Sequence, residues 1–226
     1  MNNRRRILYS ELIAGRTVFD WLFLFTGLMV QVIVFILQPT NPWAIVSGIA
    51  GIFSVILCSQ GKISTFFFSV VQITTYLYLC LIEHLYAEVA MNVFYFISQF
   101  YGFIVWKNNY QISRDNAVLK TKTMRMAPLV VIVLSSLAVS ALVGFLLQRF
   151  TDDSQPYLDA FTTVPAVVAQ ILMITAYRQQ WYFWLVIDVL SAIMWLRAGN
   201  YSLMALYIFW CFNCIYGLHN WRKNAQ

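Results

Sequence analysis

Charge is what this sequence has least of. Only 11% of its 226 residues are Asp, Glu, Lys or Arg, against about 25% in a soluble globular protein. That supply cannot cover a water-facing surface, and with 61% hydrophobic residues it also excludes disorder. Nucleic-acid binding is excluded on the same ground, despite a net charge of +6. Histidine occurs twice and cysteine four times. Cys58, Cys80, Cys211 and Cys214 each sit inside an apolar run, so they form no disulfide framework. Cys211 and Cys214 read as small buried thiols rather than a redox or zinc pair. His84 and His219 lie at opposite helix ends and cannot readily share a metal. Gly61-Lys62 is followed by Ile63 and has no glycine five residues before it, so it is no phosphate-binding loop. Neither a cofactor nor a metal site is expected, and no enzyme chemistry finds its parts.

What is present is long apolar segments. A bilayer core of about 30 Å takes about 20 helical residues per span, and backbone polar groups in lipid demand helices. Eight segments qualify: 21–37, 43–58, 64–82, 89–106, 127–147, 159–177, 181–196 and 201–218. Pro42, Gly61, Pro128, Pro156 and Gly199 punctuate the short connections. With an even number of spans both termini share one side. That side collects Arg4, Arg5, Arg6, Arg16, Lys62, Lys107, Arg114, Lys120, Lys122, Arg125, Arg178, Arg222 and Lys223, which is 13 of the 15 basic residues. Arg149 and Arg197 fall opposite, so the positive-inside rule predicts cytoplasmic N and C termini. Glu83, Glu88, Asp152, Asp153 and Asp159 lean outward. Residues 1–20 are expected to lie along the cytoplasmic surface as an interfacial helix, because Glu11, Arg16 and Asp20 interrupt any cleavable signal.

The sequence repeats itself. Tyr101-Gly102-x-x-x-Trp106-Lys107-x-Asn109 returns as Tyr216-Gly217-x-x-x-Trp221-Arg222-x-Asn224, at an offset of 115. Ile56-Leu57 and Ile171-Leu172 keep that offset, and Asn41-Pro42-Trp43 matches Gln155-Pro156-Tyr157 at 114. Each unit holds three helices, an odd number, so one intervening helix is needed to make the units parallel. The predicted architecture is an all-α integral membrane protein of eight transmembrane helices. One extra N-terminal helix precedes a 3+1+3 core within a single transporter domain, 21–226. Repeat A covers 41–109, the linker helix 127–147 and repeat B 155–224. Paired repeats around a midplane site are a transporter arrangement.

An ionisable residue in mid-membrane is functional by default, and the only acidic one here is Asp188. Trp181, Trp184 and Asp188 are three and four apart, hence on one helix face. Aromatic planes beside a carboxylate suit a flat cation, and the carboxylate also accepts hydrogen bonds from sugar hydroxyls. The structural alternative is an interfacial anchor at Trp181 and an interhelical bond at Asp188. Gln72 falls within one residue of the repeat position of Asp188. Asn92, Phe96 and Gln99 share one face of the fourth span, with Tyr95 beside them, and Trp210 and Asn213 lie three apart in the eighth. Such amides either bond across helices or orient a ligand in an aromatic-walled cavity. No Lys or Arg lies in mid-span, so a phosphorylated substrate lacks a counter-charge there. Nor is there a second buried acid for proton coupling.

Trp181-x-x-Trp184-x-x-x-Asp188 and the two Tyr-Gly-x-x-x-Trp helix ends resemble the signatures of the PnuC family of bacterial vitamin transporters. The resemblance runs over essentially the full length. It implies a fold akin to full-length SWEET transporters and uptake of nicotinamide riboside by facilitated diffusion through the bacterial inner membrane. A separate cytoplasmic kinase is then expected to trap the riboside by phosphorylation. On that implication Trp184 faces the pyridinium ring, Asp188 the ribose or the cationic charge, and Asn92, Gln99 and Asn213 the amide and hydroxyls. Thiamine, also a flat cation, is the alternative cargo. Self-association into a homo-oligomer stays open.

Overall fold

The computed structural model describes residues 9, 11, 13, 16–38, 41–112, 117–152 and 155–225. Arg4–Arg6, Arg114, Asp153 and most of the expected interfacial segment 1–20 lie outside the described residues. Eight long helices follow in order: α1 Val18–Leu37, α2 Pro42–Ser59, α3 Thr65–Ile82, α4 Tyr86–Asn108, α5 Met126–Phe150, α6 Pro156–Ile174, α7 Gln180–Arg197 and α8 Tyr201–Lys223. Their starts are written locally. Thr17 and Asp20 exchange side-chain and backbone hydrogen bonds in a capping box at α1, satisfying two otherwise orphaned donors. Asn41 accepts the Trp43 N–H at 3.1 Å, and Pro42 fills the first position of α2, where no donor is needed.

Among the described residues, seven of these helices are long and apolar enough to cross a membrane. Helix α7 is the exception on hydropathy. Gln180, Asp188 and Arg197 share its 18 residues with Trp181, Tyr182, Trp184 and Trp195, which are apolar in contact area but weak on a transfer scale.

Neighbouring helices close a ring in the order α2, α3, α4, α6, α7, α8, with α8 returning to α2. Helix α1 packs outside against α2 and α8, and α5 against α6. Exposed Val18, Leu22, Phe25, Val131, Leu134 and Leu142 cover these two outer helices, as a lipid-facing surface requires.

Backbone geometry recurs at the 115-residue spacing where side chains do not. Helices α2 and α6 end on left-handed residues, Gly61 at φ 68° and Ala176 at φ 65°. Helices α3 and α7 end on His84 at φ 56° and Gly199 at φ 72°. Each end returns a six-residue closing bond: Lys62 N to Leu57 O at 2.9 Å, Tyr177 N to Leu172 O at 2.8 Å, and Leu85 N to Cys80 O and Asn200 N to Trp195 O, both 2.9 Å. These are Schellman closures.

The two Tyr-Gly-x-x-x-Trp ends meet reciprocally. Trp106 Nε1 donates to Met173 O at 3.0 Å, and Trp221 Nε1 to Cys58 O at 2.8 Å. Both indoles are fully buried and pack edge to face with centroids 5.5 Å apart. Gly102 and Gly217 are small because of what lies over them. A Cβ would fall 2.7 Å from Phe66 at Gly102 and 2.5 Å from Trp181 at Gly217.

One feature departs from an all-helical reading. The connection between α4 and α5 forms a two-stranded antiparallel hairpin, β1 Tyr110–Ile112 and β2 Ala117–Leu119. The chain then runs across the basic end as a strap. Leu119 N bonds Gly61 O, Lys120 N bonds Asn109 O, Thr121 N bonds Asn224 O and Lys122 N bonds Ala176 O, at 2.8–3.0 Å. Thr121 Oγ1 adds a bond to Trp221 O at 2.6 Å. Helix-end carbonyls that would otherwise lack partners are thereby satisfied by four consecutive residues. Periodicity reading misses this strap because it has too few residues to show a period.

Candidate functional site

Helices α7 and α8 pack closely and carry the polar residues that matter most. Asp188 is 8% exposed, and its Oδ2 accepts from Cys214 Sγ at 3.3 Å. Asn213, the neighbour of that cysteine, is 1% exposed, and neither end of its amide has a partner. One buried amide with both ends open costs on the order of 1–3 kcal/mol per unsatisfied group. Such a cost is tolerated where a ligand supplies the partner. Trp184 is half-buried against the core, one turn from Asp188.

Trp181 sits in the same core cluster against which Trp184 packs. It is buried under Gly217 and stands edge-on to Trp221 at 5.8 Å, within the aromatic cluster of Phe66, Trp106 and Trp221. Its contacts are those of core packing at the basic end, although its Nε1 has no partner.

On α4, Gln99 is buried with Oε1 unpaired, and Asn92 is buried with Nδ2 donating to Glu88 O at 2.8 Å. Phe96 is half-buried and packs edge to face on exposed Phe100. Trp210 packs on Phe209 beside Leu24, Ile52 and Ile56, in a separate cluster. Gln72 is half-buried, with its side chain over Gly51.

The two halves differ where chemistry is to be expected. At the positions 115 before Ala169, Gln180 and Trp184 stand Ser54, Thr65 and Ser69. Those three close on themselves: Ser54 Oγ meets Ser69 Oγ at 2.6 Å, and Thr65 Oγ1 donates to Ser54 O at 2.8 Å. Ser98, equivalent to Asn213, is satisfied by Gln170 Nε2 at 2.7 Å. In the second half two buried residues keep unpaired amides, Gln180 at the start of α7 and Asn213 next to the cysteine that bonds Asp188. Gln180 is fully buried with both amide atoms unpaired. Sequence reasoning passed over it, although a glutamine preceding Trp181 inside a buried helix was a readable signal. It also passed over Cys214 as an inert thiol. Among the described residues no group of His, Cys, Asp or Glu could hold a metal.

A ring of apolar helices carrying isolated buried polar groups has the architecture of a multi-pass membrane transporter. Comparison with known proteins makes the assignment specific. Residues 41–223 match the family model described as nicotinamide mononucleotide transporter, and the chain belongs to that family. It is 32% identical to the nicotinamide riboside transporter PnuC of Neisseria mucosa, over 94% of this chain and 84% of that one. It is also 32% identical to the protein of that name from Haemophilus influenzae, over 96% and 95%. The crystal structure of the vitamin B3 transporter PnuC superposes with a TM-score of 0.80 and 29% identity, covering 96% of each chain.

Proposed function

We propose that this protein carries nicotinamide riboside across the bacterial inner membrane by facilitated diffusion, through eight spans with both termini in the cytoplasm. The observation that carries the reading is Asn213, a membrane-core amide with both ends unpaired next to the Cys214–Asp188 bond. A riboside with a carboxamide and ribose hydroxyls supplies partners of both signs. Trp184 offers a face to the pyridinium ring, and Asp188 answers its charge or its hydroxyls. Gln99, Asn92 and Gln72 are assigned supporting polar roles from the facing half. Trp181, Trp210 and Phe96 are assigned to the walls. Gln180 joins the set on the strength of its unpaired amide.

The 3+1+3 organisation, with repeat A 41–109, linker 127–147 and repeat B 155–224, is supported by the paired left-handed helix ends and the reciprocal indole bonds. Counting α7 as a span is supported by its packing between α6 and α8. The 13 basic residues assigned to one side support the orientation. The family model names a mononucleotide and the relatives a riboside. The absence of Lys and Arg from mid-span favours the riboside, since a phosphate would have no counter-charge there. Phosphorylation by a separate cytoplasmic kinase would trap it.

Calorimetry on the purified protein with riboside, mononucleotide, thiamine and riboflavin tests the assignment. Saturable riboside binding is expected. Thiamine binding with none for riboside would overturn it.

A further inference from the structure

A cavity of about 510 Å³ opens at the basic end, between the start of α1, the α2–α3 turn and the last two turns of α8. Arg16, Lys62, His219 and Lys223 contribute to its wall, with amides from Gln60 and Asn220. The acid that also lines it, Asp20, is already engaged: it accepts from Thr17 N at 2.7 Å and from the Tyr216 hydroxyl. Its charge thus serves the α1 cap, while the cations are held in a partly dehydrated place. Burial pushes both Lys62 and Arg16 below their ordinary pKa, against the opposing pull of Glu11 and Asp20. A positively charged cleft of this kind concentrates anions.

Two buried atoms in the wall have no partner: the Arg16 Nε donor and the Gln60 Oε1 acceptor. Together they ask for a ligand with an anionic oxygen and a hydroxyl. We propose that this cavity is a cytoplasmic binding site for a phosphate ester bearing hydroxyl groups, separate from the transport path. The phosphate lies among Arg16, Lys62 and Lys223, with Arg16 donating from Nε. The hydroxyl donates to Gln60 Oε1. Two sources present this chemistry at a cytoplasmic surface. One is a soluble nucleoside monophosphate, including the phosphorylated form of the cargo. The other is a phosphatidylglycerol headgroup reached from the lipid beside α1.

The test is equilibrium binding of nicotinamide mononucleotide to the full chain in neutral phosphatidylcholine nanodiscs, with inorganic phosphate as competitor. Saturable binding displaced by phosphate is expected, weakened about tenfold by each of Arg16→Gln and Lys223→Gln and unchanged by Asp188→Ala. Repeating it in phosphatidylglycerol discs separates the sources. Retained binding identifies the soluble ester. A melting temperature raised by phosphatidylglycerol in the wild type but not in the Arg16→Gln/Lys223→Gln variant identifies the lipid, whether or not mononucleotide binds. Binding that follows Asp188 instead of the two cations overturns the site. So does absence of binding together with equal lipid stabilisation of both proteins. Choosing this mononucleotide rests on the riboside reading, but phosphate competition and the lipid arm do not, so the two fail separately.

Discussion

Asn213 and Asp188 show how a buried polar residue in lipid has to be read from its partners. Asp188 has one, the Cys214 thiol at 3.3 Å, which is a weak donor. Asn213 has none. Replacing Asn213 with Leu removes the unsatisfied groups and is expected to stabilise the protein by about 1–2 kcal/mol while abolishing riboside binding. Thermal unfolding in detergent alongside calorimetry checks both halves, and a lowered melting temperature would mean that bound water satisfies the amide. For Asp188→Ala, riboside affinity is expected to fall at least about tenfold with the fold retained. Unchanged affinity would remove Asp188 from the site.

At the level of the helix, what matters is how each end is closed. Ala176 carries the left-handed conformation that Gly61 carries 115 residues earlier, at a cost of about 1 kcal/mol for a residue with a Cβ. Ala176→Gly is therefore expected to raise stability by about that much, and Gly61→Ala to lower it comparably, read as opposite shifts in melting temperature. Gly217→Ala would set a Cβ 2.5 Å from Trp181. The expected loss is about 1–3 kcal/mol from overpacking, whereas a substitution at Gly199, with nothing within 4 Å, is opposed only by its left-handed φ of 72°. Pro165 lies inside α6 and frees the carbonyl four residues before it, so the second half contains a weakened helix where the first has Ala50.

Across the whole molecule, the strap 119–122 ties both halves together at the basic end, and the indoles of Trp106 and Trp221 close the space beneath it. That end is accordingly the more rigid one, and rocking of the halves is expected to open the other first. The proposed orientation is checked by single cysteines in a background lacking the native four. Lys223→Cys should react with an impermeant maleimide only after cells are opened, and Arg197→Cys in intact cells. The reverse pattern would invert the topology.

By itself, the sequence determined the membrane class, the helices to within a few residues, the recurrence of residues at a spacing of 115 and the isolation of Asp188. These follow from composition, hydropathy and spacing, which act along the chain. Only the tertiary structure decided that Trp181 packs under Gly217 and that Cys214 partners Asp188. It alone placed Gln180 among the unpaired buried groups and closed the four helix ends with one strap. Those outcomes depend on which surfaces meet across the ring, and hydropathy carries no such information. The scarcity of charge marked where to look, but whether a buried polar atom is satisfied is a property of its neighbours in space.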